Sequence, residues 1–442
     1  MSSTLILRTA AWYGDHPIEL EIPHNWDVDI LQPQTPTPLT KEQIEDKLQK
    51  PVGQDNIQRL CKGKTRPLII IDDLNRPTPT NLIIPILLDY FQEASISPRD
   101  VTILMATGSH GKPASNGIYK KVGKKAAESC RLLVHDCFAG NEKVGKTSFG
   151  TKVYVDSAVL KSDFVVGIGG IYPNYKAGFG GGTKLSLGVL GIQSIFDLHF
   201  RHQGVGWGNP TTESSFRRDL NEISQLIGLR TVISVQVNSN REIVRIDSGD
   251  PLKYYHEAVK FCNDSFAVSF SDDADVIISN TYPNDLSLTF ARLKGFEPFE
   301  NCKANASKIA VASCDEGIGL HNIFPYINIP SFQKEKQLLR LLKTFGVKEI
   351  SRKIFKRVMR KVHSTKGKRL NSREQVNNHT VFLYRPGEHT AKLPSSIPGI
   401  TQLTKWPEVI QAVQKEQGTR NSLKVVVYPC APLQFPKKPA HG

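Results

Sequence analysis

Three short apolar runs, each followed by polar residues, most constrain the fold of this chain. RPLIIIDD (66–73), VTILMATGSH (101–110) and SDFVVGIGGI (162–171) have the length and composition of strands buried on both faces. Segments with helical periodicity separate them, such as NLIIPILLDYFQEA after the first run. Repeated strand–loop–helix units predict an α/β fold with a mostly parallel sheet.

A second cycle of strands and helices begins near residue 270. We therefore predict two α/β domains, over 1–269 and 270–442, with mostly parallel sheets. The second domain includes a basic helical segment at about 351–370, RKIFKRVMRKVHSTKGKRL, with cations on one helical face and apolar residues on the other. This segment is either a solvated helix that covers the domain or a helix that binds lipid or nucleic acid.

Composition narrows the class of protein. Hydrophobic residues make up 39% and charged residues 22%, as in ordinary globular proteins, and no apolar run reaches the roughly 20 residues of a membrane span. The N-terminal residues lack the basic and apolar regions of a secretory signal, and the seven cysteines show no CxxC spacing. We expect a cytoplasmic protein. The net charge of +15 permits anionic partners, but without a nucleic-acid motif we expect no specific nucleic-acid partner.

Polar clusters follow the predicted strands and suit a ligand site, because ligands bind at the carboxyl ends of parallel strands. Arg76 in DDLNRP is a candidate clamp for a carboxylate. Asp73 is a candidate to orient Arg76 or to bind a cofactor hydroxyl. His110, which ends ATGSH, is a candidate general base.

The third cluster, YPNYKAGFGGGTK, ends in glycines and a lysine. Gly180, Gly181 and Gly182 either let backbone N–H groups approach an anion or form a tight turn, and their spacing matches no standard phosphate loop. Lys184 is either a solvated charge or a residue that holds a phosphate or forms a covalent adduct with a cofactor. His199 and His202 are three residues apart on a predicted helix and are either structural or metal ligands.

Taken in order along the chain, these clusters and LHFRH resemble the nickel-dependent lactate racemase family of 2-hydroxyacid racemases and epimerases. IELEIPHNWDVDILQP, SNTYPNDLSLTFARLKG and CDEGIG are similar to it too, so the resemblance spans nearly the whole chain. It implies two α/β domains with an active site in the cleft between them. It also implies a nickel-pincer nucleotide cofactor and, as partners, the enzymes that synthesise it.

The resemblance implies roles for single residues. Lys184 matches the lysine that holds the cofactor through a thioamide, and Gly180, Gly181 and Gly182 lead up to it. His199, with His202 as the alternative, matches a nickel ligand. The family's reaction abstracts a hydride reversibly from the carbon that bears the hydroxyl, while a histidine takes the hydroxyl proton, and His110 matches that histidine.

Other positions concern the substrate and the second proton transfer. Arg76 matches the carboxylate-binding arginine, and Lys294 matches a lysine that contacts the substrate. Asn174 stands where the family has a second histidine base, and asparagine cannot act as a base near neutral pH.

Three hypotheses follow. The first is a lactate-racemase-like isomerase that racemises or epimerises a 2-hydroxy acid. The second is a non-racemising relative that binds the cofactor or a nucleotide without inverting a hydroxy acid. The third, based on residues 352–369, is a protein that binds anionic surfaces.

Overall fold

The structure is a computed structural model that describes residues 3–114, 116–300, 302–323, 339–346, 380–387 and 391–437. It divides the chain into two compact units. Unit 2 is continuous, Gln34–Ala267, whereas unit 1 combines Met1–Pro33 with Val268–Gly442. The predicted basic helical segment at 351–370 lies outside the described residues.

The strands of the described residues are numbered in chain order. They are β1 Ser3–Thr9, β2 His16–Ile22, β3 Trp26–Ile30, β4 Pro67–Asp72, β5 Thr102–Ala106, β6 Arg131–Val134, β7 Asn141–Lys146, β8 Lys152–Asp156, β9 Phe164–Gly170, β10 Pro173–Asn174, β11 Gly178–Phe179, β12 Thr231–Val237, β13 Ile243–Gly249, β14 Ala267–Val268, β15 Val276–Asn280, β16 Ser307–Val311, β17 Val381–Tyr384, β18 Ile400–Leu403, β19 Leu423–Tyr428 and β20 Phe435–Pro436.

The α-helices are numbered in the same way, and helical residues 339–346 are left without a label. They are α1 Lys41–Gln49, α2 Ile57–Leu60, α3 Ile84–Glu93, α4 Gly117–Val122, α5 Lys124–Ser129, α6 Ser157–Leu160, α7 Ile192–Arg201, α8 Ser215–Leu226, α9 Pro251–Phe266, α10 Leu288–Gly295 and α11 Trp406–Gln417. Short 3-10 helices span Thr80–Leu82, Pro98–Asp100, Gly182–Val189 and Glu297–Glu300.

Unit 2 contains a six-stranded sheet in the order β13-β12-β9-β4-β5-β6. Every neighbouring pair is parallel except β12 and β13, which are antiparallel. The apolar residues of β4 are fully buried, as continuous apolar strands with both faces covered should be. The carboxyl ends of β4, β5 and β9 are adjacent, so the polar residues that follow these strands meet at one edge of the sheet.

Unit 1 contains a second six-stranded sheet, in the order β18-β17-β16-β15-β19-β3, with all neighbouring pairs parallel. Helix α11 packs on it, with Val409 and Val413 fully buried in its core. The prediction of two α/β units with mostly parallel sheets is thus confirmed. The predicted domain over 1–269 differs in its first 33 residues, which lie in unit 1 because β3 pairs with β19.

Within the described residues, no helix combines the length and the apolar character needed to cross a membrane.

Candidate active site

An aspartate–histidine pair lies at the carboxyl edge of the unit 2 sheet. The loop after β4 carries Asp73 and the loop after β5 carries His110, and His110 Nδ1 lies 2.5 Å from Asp73 Oδ2. Burial opposes ionisation of Asp73, but His110, Arg76 and Asn75 outweigh it and hold the pKa of this carboxyl well below its usual range. A carboxylate only accepts hydrogen bonds, so His110 Nδ1 carries the proton and Nε2 is the basic nitrogen of the neutral ring.

His110 is held in its neutral form. Burial lowers the pKa of His110 below its usual value, Arg76 and Lys184 lower it further, and Asp73 opposes them. A neutral imidazole oriented by a carboxylate is the arrangement of a general base.

The lowered pKa of His110 predicts a pH dependence of stability. The folded chain binds the His110 proton more weakly than the unfolded chain, so this contribution is complete above about pH 6.5 and falls as the pH drops below it. His110→Gln should make the pH dependence of the unfolding free energy shallower there, by at most about 1.4 kcal/mol per pH unit. Urea unfolding at several pH values measures this, with the exposed His24→Gln as control. Identical slopes in wild type and His110→Gln would contradict it.

Arg76 lies beside this pair with its guanidinium largely uncommitted. Its Nη1 donates to the Asn75 carbonyl at 2.8 Å, and no ion pair joins it to a carboxylate of the described residues. The Arg76 backbone N–H also donates to the Asp73 carbonyl at 3.0 Å, which fixes the turn that carries both side chains. The remaining donors suit the planar oxygens of a carboxylate.

Below these residues, a buried ion pair supports the loop after β4. Lys121 of α4 is fully buried, and its Nζ donates to Asp72 Oδ1 at 2.6 Å and to the carbonyls of Arg76 and Thr78 at 3.1 and 3.0 Å. The other Asp72 oxygen accepts from Thr78 Oγ1 at 2.5 Å and from the Gly170 N–H at 3.1 Å. Lys121 therefore ties together the ends of β4 and β9.

Lys184 is the next candidate site residue along the chain. It lies in the 3-10 helix Gly182–Val189 and is half-buried, and no side-chain hydrogen bond or ion pair reaches its amine from the described residues. Burial, Arg76 and Arg217 together lower the pKa of Lys184 to about 7, and Asp73 acts in the opposite direction. A large fraction of this amine is therefore neutral, and so nucleophilic, at neutral pH.

The glycines before Lys184 allow close approaches of the backbone. Gly181 and Gly182 have φ values of 70° and 55°, in the left-handed region. A Cβ on Gly181 would lie 2.8 Å from the Gly170 carbonyl, and one on Gly182 would lie 2.7 Å from the Tyr255 ring. The Gly180 N–H donates to the Tyr172 carbonyl at 2.7 Å, so this amide closes a turn. Cofactor contacts of Gly180, Gly181 and Gly182 remain a prediction.

The two histidines of α7 and its C-cap differ in what they bind. His199 Nδ1 lies 2.7 Å from the Ile195 carbonyl and must donate to it, so Nε2 carries the lone pair of the neutral ring. His202 uses both nitrogens, at 3.0 Å from Ser215 Oγ and 2.7 Å from Asp219 Oδ2. His199 as a metal ligand, with His202 as the alternative, remains a prediction.

Asn174 closes a tight hairpin between β10 and β11. Its Oδ1 accepts from the backbone N–H groups of Lys176 and Ala177, both at 3.0 Å. Asn174 pairs with Gly178 across the hairpin. The side-chain oxygen is therefore committed to the turn, whereas the side-chain NH₂ has no partner among the described residues.

Lys294 belongs to unit 1, where it is buried in α10. Its substrate contact remains a prediction. Sequence reasoning did not select Lys121 or Arg217, the two buried cations of unit 2. For Lys121 a signal existed, since helical periodicity places it on the face of Gly117 and Ile118, which is buried.

Unit 2 is thus an α/β unit with an Asp–His pair and an arginine at the carboxyl edge of its sheet, and with a lysine whose amine has no side-chain partner among the described residues. Residues 13–208 match the family model for the lactate racemase N-terminal domain. Lactate racemase of Thermoanaerobacterium thermosaccharolyticum is 27% identical over 325 residues, which cover 70% of this chain and 74% of the relative. Lactate racemase of Lactiplantibacillus plantarum is 26% identical over 310 residues, 68% of this chain and 72% of the relative. These matches support the lactate racemase family for this chain.

The fold agrees with this assignment. The lactate racemase apoprotein structure from Thermoanaerobacterium thermosaccharolyticum superimposes with a TM-score of 0.66 over 98% of this chain and 100% of that chain, at 20% identity. The relatives support a function of the racemase family.

Proposed function

We propose that this chain racemises or epimerises a 2-hydroxy acid with a nickel-pincer nucleotide attached to Lys184. The observation that carries the proposal is the Lys184 amine, which has no side-chain partner among the described residues and a pKa lowered to about 7 by burial, Arg76 and Arg217. A neutral amine beside a carboxylate clamp and a histidine base suits covalent attachment of a cofactor next to a hydroxy-acid substrate.

The residues present fit such a cofactor. No group of three or more His, Cys, Asp or Glu side chains that could hold a metal ion occurs in the described part of the chain. The lone-pair nitrogen of His199 is a suitable single ligand for a nickel ion whose other ligands come from the cofactor. The enzymes that synthesise the cofactor would then be required partners.

Residues of the chain would bind the substrate and move its proton. Arg76 would bind the substrate carboxylate through its uncommitted donors. His110 Nε2 would accept the hydroxyl proton, while Asp73 stabilises the resulting imidazolium. The predicted role of Lys294, which the family resemblance implies, is also a substrate contact. When bound, the cofactor would supply the hydride acceptor.

The second proton transfer separates the two leading hypotheses. An amide at 174 cannot take a proton, and Lys176 donates its amine to the backbone carbonyls of His199 and His202. Burial and Asp72 raise the pKa of Tyr172 far above neutrality, so this phenol does not ionise there. These contacts make His110 the principal base that the proposal can use. The alternative, a non-racemising relative, would hold the cofactor without inverting the acid.

Co-expression with the cofactor-synthesis enzymes tests the proposal. We expect a mass adduct on Lys184, bound nickel, and inversion of at least one acid in a panel of L- and D-2-hydroxy acids that includes lactate. An unmodified Lys184 without nickel would refute it. An adduct with nickel but without inversion of any acid would favour the non-racemising alternative.

Because the two histidines form different hydrogen bonds, substituting them should change the nickel content of the protein differently. His199→Ala should lower nickel content about 10-fold or more, because it removes the lone-pair ligand. His202→Gln should retain nickel in the fraction that folds, since its ring nitrogens bond Ser215 and Asp219. Metal analysis of both purified variants, with circular dichroism to verify folding, measures the contrast. Nickel loss confined to His202→Gln would reverse the assignment.

A further inference from the structure

A buried arginine holds the loop in front of Lys184. Arg217 of α8 is 2% exposed. Its Nη1 donates to the Gly181 carbonyl at 2.9 Å and its Nη2 to the Phe179 carbonyl at 2.8 Å, with a second bond from Nη2 to the Tyr255 hydroxyl. Its guanidinium also stacks on the Tyr255 ring, 4.1 Å from the centroid. Arg217 therefore fixes the backbone three to five residues before Lys184.

Among the described residues, no carboxylate balances the charge of Arg217. All acceptors of its hydrogen bonds are carbonyls or hydroxyls, and no ion pair joins it to a carboxylate in the part of the chain that the structure describes. Its Nε is buried, and no described residue forms a hydrogen bond with it. Burying an unpaired guanidinium costs free energy, so the buried Arg217 lowers the stability of the folded chain.

The groups that act on the Lys184 amine come from several elements. Arg217 of α8 and Arg76 after β4 repel its protonated form, whereas Asp73 attracts it. His110 after β5, which Lys184 affects in turn, is held neutral. Asp73 also interacts with His110, Asn75 and Arg76. Its single negative charge therefore does not cancel the positive charges that act on Lys184.

We propose that Arg217 is a positioning residue for Lys184, which fixes the glycine loop through its carbonyls and, by its unbalanced charge, keeps the Lys184 amine neutral and nucleophilic. This inference rests on the proposed function only in taking Lys184 as the attachment point. The inference also explains why a buried charge is present despite its cost in stability. A protonated Lys184 amine would not react, and the positive charge of Arg217 disfavours that protonation.

The test is the pH profile of Lys184 acetylation in the cofactor-free full chain. Short pulses of acetic anhydride at pH 6 to 10, followed by peptide mass spectrometry, give the labelling rate of each lysine. In wild type, Lys184 should reach half of its maximal rate near pH 7, and the exposed Lys143, labelled in the same sample, serves as the internal reference. Arg217→Met should shift the Lys184 profile up by about one pH unit or more, which slows labelling at pH 7 about 5-fold or more.

Two variants separate charge from packing. Arg217→Lys retains the charge without the planar fork and should keep the low midpoint. Arg218→Met, at the neighbouring exposed position of α8, should leave the profile unchanged. An unshifted profile in folded Arg217→Met would overturn the proposal. If that variant does not fold, a Lys184 midpoint in wild type equal to that of Lys143, or a shifted Arg217→Lys profile, would also overturn it.

These outcomes are independent of nickel. A low Lys184 midpoint in a chain that never acquires an adduct would leave the inference standing and remove the proposed function. A normal midpoint with an adduct would do the reverse.

Discussion

Lys184→Arg is expected to abolish cofactor attachment and with it all turnover of a hydroxy acid. Arginine keeps a positive charge and a similar length, but its guanidinium stays protonated and is not a nucleophile at neutral pH. After co-expression with the cofactor-synthesis enzymes, the variant should show no mass adduct, background nickel and activity reduced about 1,000-fold or more.

The matched control is Lys143→Arg, at an exposed lysine of β7 in the same unit. It should retain adduct, nickel and activity. If Lys184→Arg retained nickel and activity like this control, Lys184 would not be the attachment point.

Lys121→Met is expected to destabilise the chain strongly. It leaves Asp72 buried with Thr78 and the Gly170 N–H as partners but without its cation, which stands 2.6 Å away in wild type. Removing one member of a buried ion pair costs about 3–5 kcal/mol. Lys124→Met, at an exposed position of α5, should cost less than about 1 kcal/mol, because its pair with Glu128 is exposed. Urea unfolding of both variants measures the difference.

The double variant Lys121→Met/Asp72→Asn should recover part of the loss, since no charge is then left buried without a partner. Equal unfolding free energies for Lys121→Met and Lys124→Met would show that the buried pair contributes little.

Much of the site could be predicted from the sequence because its residues follow buried strands. Apolar runs that end in polar residues locate strand ends, and adjacent parallel strands bring those ends together. Asp73, Arg76, His110 and Lys184 were selected on that basis, and their charges act on one another in the structure.

Lys121 and Arg217 could not be predicted in the same way. Helical periodicity places Lys121 on a buried face, but neither helix sequence indicates the partners of these cations, which come from distant parts of the chain. Lys121 meets Asp72, and Arg217 meets the carbonyls of the glycine loop. Only the packing of α4 and α8 buries these charges, and a helical pattern does not report which carbonyls a buried cation meets.

The N-terminal 33 residues illustrate the same limit. β3 is a five-residue strand, WDVDI, with alternating polar and apolar residues, and the sequence contains no sign of which sheet it joins. Its parallel partner β19 lies near the other end of the chain. Strand pairing at that separation is set by the fold and not by local composition.

The pairing of β3 with β19 also has a consequence for the order of events during translation. Unit 2 is encoded without interruption between the two parts of unit 1, so it can form its sheet while the ribosome still holds the later residues. The β1–β2 hairpin and β3 leave the ribosome before unit 2, yet the neighbour of β3 is β19, which is synthesised only after unit 2. Until then the backbone N–H and C=O groups of β3 have no neighbouring strand to pair with. Nascent chains that stall after unit 2 should therefore be especially prone to associate through β3.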